Sequence, residues 1–195
     1  MPVRIDHAVV SGTFSLDGQT FDVDNNLWVI GDDTSCVIID APHSVPEIRK
    51  VVDGRRVTAV LLTHGHDDHV RVAPELAAAT GAPMFMHPGD EPLWRLVHPA
   101  GPLPEPLRDG QEIAGLTVLH TPGHSPGAVC FRAPELGCVF TGDTLFQGGP
   151  GAIGRSYSDR PTIERSIRER LLTLPPETVV HTGHGPDTTI GAEMF

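Results

Sequence analysis

The chain has 195 residues with 14 basic and 25 acidic side chains, a net charge of -11 that argues against a nucleic-acid-binding surface. With 39% hydrophobic and 20% charged residues it has the composition of a folded domain and not of a disordered tract. No stretch reaches membrane-spanning length, and Met1 to His7 lacks a basic segment followed by an apolar core. The expectation is a single cytoplasmic domain over residues 1–195, without nucleic-acid or membrane partners.

In chain order, apolar or alternating runs predict strands over His7 to Phe14, Asn26 to Ile30, Cys36 to Ile39, Val57 to Leu62, Met84 to Met86, Leu116 to Leu119, Val129 to Arg132, Cys138 to Phe140 and Thr178 to Val180. Helical patterns lie between them at Val45 to Val52, Val70 to Ala79, Pro88 to Val97 and Thr162 to Leu172. This order predicts a mixed α and β layered domain. The Pro- and Gly-rich stretch from Pro99 to Gly110 reads as a long surface loop, and the Gly-rich segment from Phe146 to Asp159 as a loop facing a substrate. Cys36, Cys130 and Cys138 each sit in an apolar run, which predicts buried reduced thiols and not metal ligands.

The most telling stretch follows the strand ending at Leu62. Thr-His-Gly-His-Asp-Asp-His places His64, His66, Asp67, Asp68 and His69 side by side. A buried carboxylate among imidazoles is costly unless a cation compensates it, whereas neutral imidazole and carboxylate form the donor set of divalent transition metals. Three more candidates end strands in Gly-containing turns: His124 in Thr-Pro-Gly-His-Ser-Pro-Gly, Asp143 in Phe-Thr-Gly-Asp-Thr and His184 in His-Thr-Gly-His-Gly-Pro. Asp40, closing the run Val37-Ile38-Ile39, is the candidate to orient a ligand histidine from behind. His120 and His181 precede ligand turns and are weaker candidates for that supporting role. His7, His43, His87 and His98 read as structural or surface residues, and Asp67 as solvated.

This set resembles the metallo-β-lactamase superfamily. Thr63 to His69 fits its His-x-His-x-Asp-His signature, and His124, Asp143 and His184 follow in the family's order. The resemblance implies an α/β class αββα sandwich of two mixed sheets, with the site at one edge. It implies one metal held by His64, His66 and His124 and a second held by Asp68, His69 and His184, with Asp143 bridging them. Two divalent ions are expected, zinc first, with iron or manganese as alternatives. Cations about 3.5 to 4 Å apart can share and acidify a water and polarise a carbonyl, with Asp68 as the catalytic carboxylate that orients the water and passes its proton on.

Among the superfamily's branches, Asp143 stands where the β-lactamases lack a bridging aspartate. His66 stands where flavodiiron enzymes carry glutamate, and Thr144-Leu145-Phe146 lacks the tyrosine of the quorum lactonases. Phe140-Thr-Gly-Asp-Thr-Leu-Phe and Ile153-Gly154-Arg155 resemble glyoxalase II and its compact relatives. The resemblance implies a binuclear hydrolase of a small acyl-thiol substrate. The Lys and Tyr that long glyoxalase II enzymes use for the glutathione tail are missing between Gly151 and Arg155, and their C-terminal helical part has no counterpart before Phe195. The rivals are a persulfide dioxygenase using one iron on His64, His124 and Asp143, a hydrolase of another ester or lactone, and a non-catalytic metal-binding module.

Overall fold

The computed structural model describes residues 3–194. Two long strands, β1 (Arg4–Leu16) and β2 (Gln19–Gly31), open the chain as a hairpin. Asp17 and Gly18 form its two-residue turn at φ 54° and 73°, a conformation that Asp-Gly supplies and that matches the twist of the strands. The first sheet continues through β3 (Ser35–Ile39), β4 (Arg56–Leu61) and the short β5 (Met84–Met86) and β6 (Glu105–Pro106), in the order β1-β2-β3-β4-β5-β6. The hairpin and the β2/β3 pair are antiparallel and the remaining pairs parallel. The second sheet combines β7 (Glu112–Ile113), β8 (Leu116–His120), β9 (Val129–Ala133), β10 (Cys138–Gly142), β13 (Val179–Thr182) and β14 (Thr188–Thr189), in the order β14-β13-β10-β9-β8-β7. Only β10 and β13 run parallel in it. Two short strands, β11 (Leu145–Phe146) and β12 (Gly149–Pro150), pair separately beside it.

Side-chain alternation decides which layer each residue fills. Trp28, Ile30, Val37, Ile39, Leu61 and, from the other sheet, Val118, Phe131 and Phe140 meet between the sheets. Their strand neighbours Leu27, Val29, Ile38 and Val60 face outward and bury against helices α1 (Val45–Val52), α3 (Ala73–Thr80) and α4 (Glu91–Val97) through Ile48, Leu76 and Trp94. On the far side Cys130, Val139 and Val180 pack against Ile163 of α5 (Arg160–Ser166) and against Ile167 and Leu171. The result is two mixed sheets flanked by helices. The three cysteines are buried and free, as their apolar settings predict.

Several elements depart from the sequence expectation. The helical pattern after the ligand cluster splits into a single turn, α2 (Asp67–Val70), and α3, while Pro88–Asp90 forms a 3-10 turn ahead of α4. The hairpin is far longer than the apolar runs within it, because Gln19 to Asp24 is mostly exposed and holds only Phe21 and Val23 as apolar residues, too few to mark a strand. After Ser166 the helix widens into a π turn over Ile167–Leu171, where Leu172 N donates to Ile167 O at 2.9 Å. No helix among the described residues is long and apolar enough to cross a membrane.

Candidate metal centre

The seven residues singled out as ligands lie in turns at one edge of the two sheets. His64 and His66 follow β4, Asp68 and His69 sit on α2, His124 follows β8, Asp143 follows β10 and His184 follows β13. Backbone bonds clasp the two sheets at this edge, Val129 N to Thr63 O at 2.8 Å and Asn26 N to Gly183 O at 2.8 Å, while Gly183 N to Gly142 O at 2.9 Å continues the β13/β10 pairing within the second sheet. Trp28 Nε1 and Asn26 Nδ2 add bonds to Thr182 O at 3.0 and 3.1 Å. Gly183 must lack a side chain, since a Cβ there would strike Asp143 Oδ1 and lie 3.0 Å from His69 Cε1.

The side chains form two sets. In the first, His66 Nδ1 lies 3.0 Å from both His64 Nε2 and His124 Nε2. One nitrogen cannot hydrogen-bond two imidazole nitrogens as well as a shared cation can join all three, and the tetrahedral ligand spacing around such an ion is about 3.3 Å for bonds of about 2.0 Å. In the second set His184 Nε2 lies 3.2 Å from both Asp68 Oδ2 and His69 Nε2, and His69 Nε2 lies 3.4 Å from Asp68 Oδ2. Asp143 stands between the sets. Its Oδ1 is 3.3 Å from His69 Nε2, and its Oδ2 is 3.5 Å from His184 Nε2 and 3.6 Å from His124 Nε2. Asp143 Oδ1 is buried yet makes no hydrogen bond, as expected of an oxygen aimed at a cation. The donor set, its spacing and that orphaned oxygen all fit a pair of divalent ions.

Four of the five imidazoles have the nitrogen facing away from the centre anchored, whereas His66 Nε2 is buried with no hydrogen-bond partner among the described residues. His69 Nδ1 lies 2.8 Å from Asp40 Oδ2, His64 Nδ1 3.0 Å from Thr63 Oγ1, His124 Nδ1 2.9 Å from Ala152 O and His184 Nδ1 2.8 Å from Asp24 O. Asp40 also accepts from Thr63 N at 2.7 Å and Thr63 Oγ1 at 2.8 Å, so it fixes His69 and the start of the ligand loop together. His120 and His181 take no part in this support. His120 stacks on His87 and faces Pro126 O, while His181 pairs with Asp187 beside Trp28. Asp67 is not simply solvated: it accepts from Ser15 N at 3.0 Å and pairs with Arg71, tying α2 to the tip of the hairpin.

Charge divides the sets. Burial, then the His69, His66 and His124 rings, pushes His64 well below the ordinary imidazole range, and burial with His124 brings His66 to about 3. In the other set burial is overcome by carboxylates. Asp68, Asp143 and Asp40 lift His69 well above its ordinary value, and Asp143 and Asp68 lift His184 to about 10. Burial likewise opposes charge on Asp68, but the neighbouring His69 and His184 hold it at about 2.

Two residues of the site escaped sequence reasoning. Asp90 is buried and accepts from Gly65 N at 2.7 Å, Ser125 Oγ at 2.6 Å and Gly127 N at 2.5 Å. One carboxylate thus clasps the His64/His66 loop to the His124 loop, and Gly127 leaves room for it, since a Cβ there would lie 2.8 Å from Asp90 Cγ. The second is Asn25, whose Nδ2 donates to Asp68 Oδ2 at 3.0 Å. Neither lies in a motif with a ligand pattern, and no local signal marks them. A cavity of about 220 Å³ opens onto His66, Asp68, Asp143 and His184, walled by Phe14, Phe21 and Val23 of the hairpin and by Ala152 and Arg155. The Gly-rich loop containing Ala152 and Arg155 therefore does face the site.

Against known families, the model described as Metallo-beta-lactamase superfamily matches residues 21–184. The chain belongs to that superfamily. Its relatives in the superfamily include a hydroxyacylglutathione hydrolase of Fuscovulum blasticum, 34% identical over 83% of this chain and 62% of that protein. Among solved structures, TTHA1623 in a di-iron-bound form is 39% identical, with a TM-score of 0.79 over 87% of this chain and 92% of that one. The B3 metallo-β-lactamase BLEG-1 is 28% identical, with a TM-score of 0.80 over 95% of this chain and 96% of that one. The protein is a metallo-β-lactamase superfamily hydrolase.

Proposed function

We propose that this hydrolase cleaves thioesters of small acyl-thiol compounds, using two divalent metal ions held by His64, His66 and His124 and by Asp68, His69 and His184, with Asp143 shared. The observation that carries the reading is the pair of ligand sets meeting at Asp143, which stands 3.3 to 3.6 Å from imidazoles of both. Bound there, such ions supply Lewis acidity and a water acidified for attack. The likeness to a hydroxyacylglutathione hydrolase supports the thioester, and the di-iron form of TTHA1623 makes iron a metal to test beside zinc and manganese.

The chain's own groups supply the rest. Asp68 lines the cavity and is ionised at neutral pH, so it can take the proton of the attacking water and return it to the departing thiolate. Asn25 holds that carboxylate by its 3.0 Å bond. Phe14, Phe21 and Val23 give the cavity an apolar wall suited to an acyl or thiol chain. Arg155 lies with its guanidinium carbon 4.5 Å from the Phe21 ring centre and 5.4 Å from that of Phe14. Among the described residues it is the one guanidinium or ammonium group lining the cavity, a partner for an anionic end of the substrate.

A one-iron dioxygenase would need only His64, His124 and Asp143, and the close approach of His69 and His184 to the same carboxylate, with Asp68 beside both, speaks for the binuclear reading. The test is thiol release from acyl thioesters, run beside lactone, β-lactam and phosphoester substrates with protein of measured metal content. Fastest turnover on a thioester supports the proposal. Faster turnover of another class, or oxygen consumption in step with a persulfide, overturns it.

A further inference from the structure

Asn25 is 1% exposed, and its carboxamide is held among three side chains, with Nδ2 also 3.3 Å from His69 Nε2. Its Nδ2 lies 3.0 Å from Asp68 Oδ2 and its Oδ1 lies 2.7 Å from His43 Nε2. An ionised carboxylate only accepts, so the amide must turn its NH₂ towards Asp68 and its oxygen towards His43. His43 must then donate, which places its proton on Nε2. The other ring nitrogen, Nδ1, is buried without a partner among the described residues, so the hydrogen bond the imidazole makes is the one to Asn25. The neighbourhood is built to aim it. The ring lies so close over Gly12 of β1 that a Cβ there would overlap it, and His43 itself sits at φ 47°, a conformation rarely taken by residues with a side chain.

We propose that His43 is a positioning residue that acts through Asn25 on Asp68. Its N–H fixes which way the Asn25 amide faces, and the amide fixes the carboxylate in the orientation that accepts the proton of the attacking water. Without that N–H the amide is free to turn over and set its oxygen against Asp68, an arrangement of two acceptors that pushes the carboxylate out of place. The inference rests on the role given to Asp68 above. The His43 ring hydrogen-bonds none of the seven candidate ligands, so its influence reaches the centre through Asn25, whose Nδ2 lies 3.0 Å from Asp68 Oδ2 and 3.3 Å from His69 Nε2.

The test compares His43→Phe, which keeps the ring volume and removes the donor, with His43→Gln, which restores an N–H; His43→Ala replaces the Phe variant should that one not fold. Two readouts are taken. In metal-free protein, NMR of the Asn25 side-chain NH₂, assigned by its loss in Asn25→Ala, should show slow hydrogen exchange in the parent, fast exchange in His43→Phe and recovery in His43→Gln. At matched metal loading, kcat on the best thioester should fall about 10-fold or more in His43→Phe with KM nearly unchanged, the range seen when a supporting partner is lost, and the Gln variant should recover most of it. An Asn25 amide equally protected in His43→Phe, or a parental kcat in that variant, overturns the inference. If the parent turns over no thioester, it is the functional reading that has failed, and the exchange measurement alone decides for or against the His43 to Asn25 link.

Discussion

Replacing Asp90 by asparagine tests whether one buried carboxylate holds the two ligand loops together. In the parent it receives three hydrogen bonds of 2.5 to 2.7 Å, from Gly65 N, Ser125 Oγ and Gly127 N. Asparagine keeps one acceptor oxygen and sets an NH₂ against a donor that cannot turn away, because Gly65 N and Gly127 N are backbone. A buried donor left without a partner costs about 1–3 kcal/mol, so one lost bond and two weakened ones come to roughly 2–4 kcal/mol. Burial raises the Asp90 carboxyl above its ordinary range, so the parent already bears some cost for this charge, and the figure belongs near the lower end. Urea unfolding of metal-free protein should show the midpoint lower by roughly 1 M with the slope unchanged. Metal titration should show the His64/His66/His124 set weakened more than the Asp68/His69/His184 set, since Asp90 ties only the loops of the first. A parental midpoint, or equal weakening of both sets, would refute the clasp.

Asp40→Ala removes the 2.8 Å partner of His69 Nδ1 and should weaken metal binding by about 10 to 100-fold while the fold survives, as read by competition with a chromophoric chelator. Unaltered affinity would return Asp40 to a structural role. Metal loading should also be pH-dependent in an uneven way. His64 and His66 are lowered and neutral at pH 7, each with a single ring N–H, whereas His184, raised to about 10, and His69, raised well above the ordinary imidazole value, must each lose the second ring proton. Rising pH therefore tightens the second set until pH passes the His184 value, and calorimetry in buffers of different ionisation enthalpy should find proton release on the second equivalent larger than on the first. Asp68→Asn, at verified equal metal loading, should lower kcat by about 10² to 10⁴-fold with a smaller change in KM. A parental kcat would make Asp68 a ligand and nothing more.

What could be read from the chain divides along a physical line. The residues proposed as ligands were legible because their chemistry is local: three imidazoles beside Asp68 within His64 to His69 are more than a structural turn requires, and His124, Asp143 and His184 each follow a strand in a turn. Asp40 was legible for the same reason, following a buried strand, β3, that pairs with the strand leading into the cluster. Asp90 was not, since its role arises only when a loop 25 residues after Gly65 folds back onto Gly65 N. Nor was His43, read as a bystander, whose partner Asn25 lies 18 residues earlier. The outer half of the hairpin stayed hidden because its few apolar residues are scattered among exposed polar ones, yet it brings Phe14 and Phe21 to the cavity and so shapes what enters.

The central claim, two metal ions acting together in a hydrolysis, is tested most directly by adding metal in fractional equivalents to metal-free protein and following thioester turnover and dissolved oxygen together. The six side chains grouped around a shared Asp143 predict that turnover keeps rising to two equivalents per chain with no oxygen consumed. Full turnover at one equivalent, or oxygen uptake in step with it, would contradict the account.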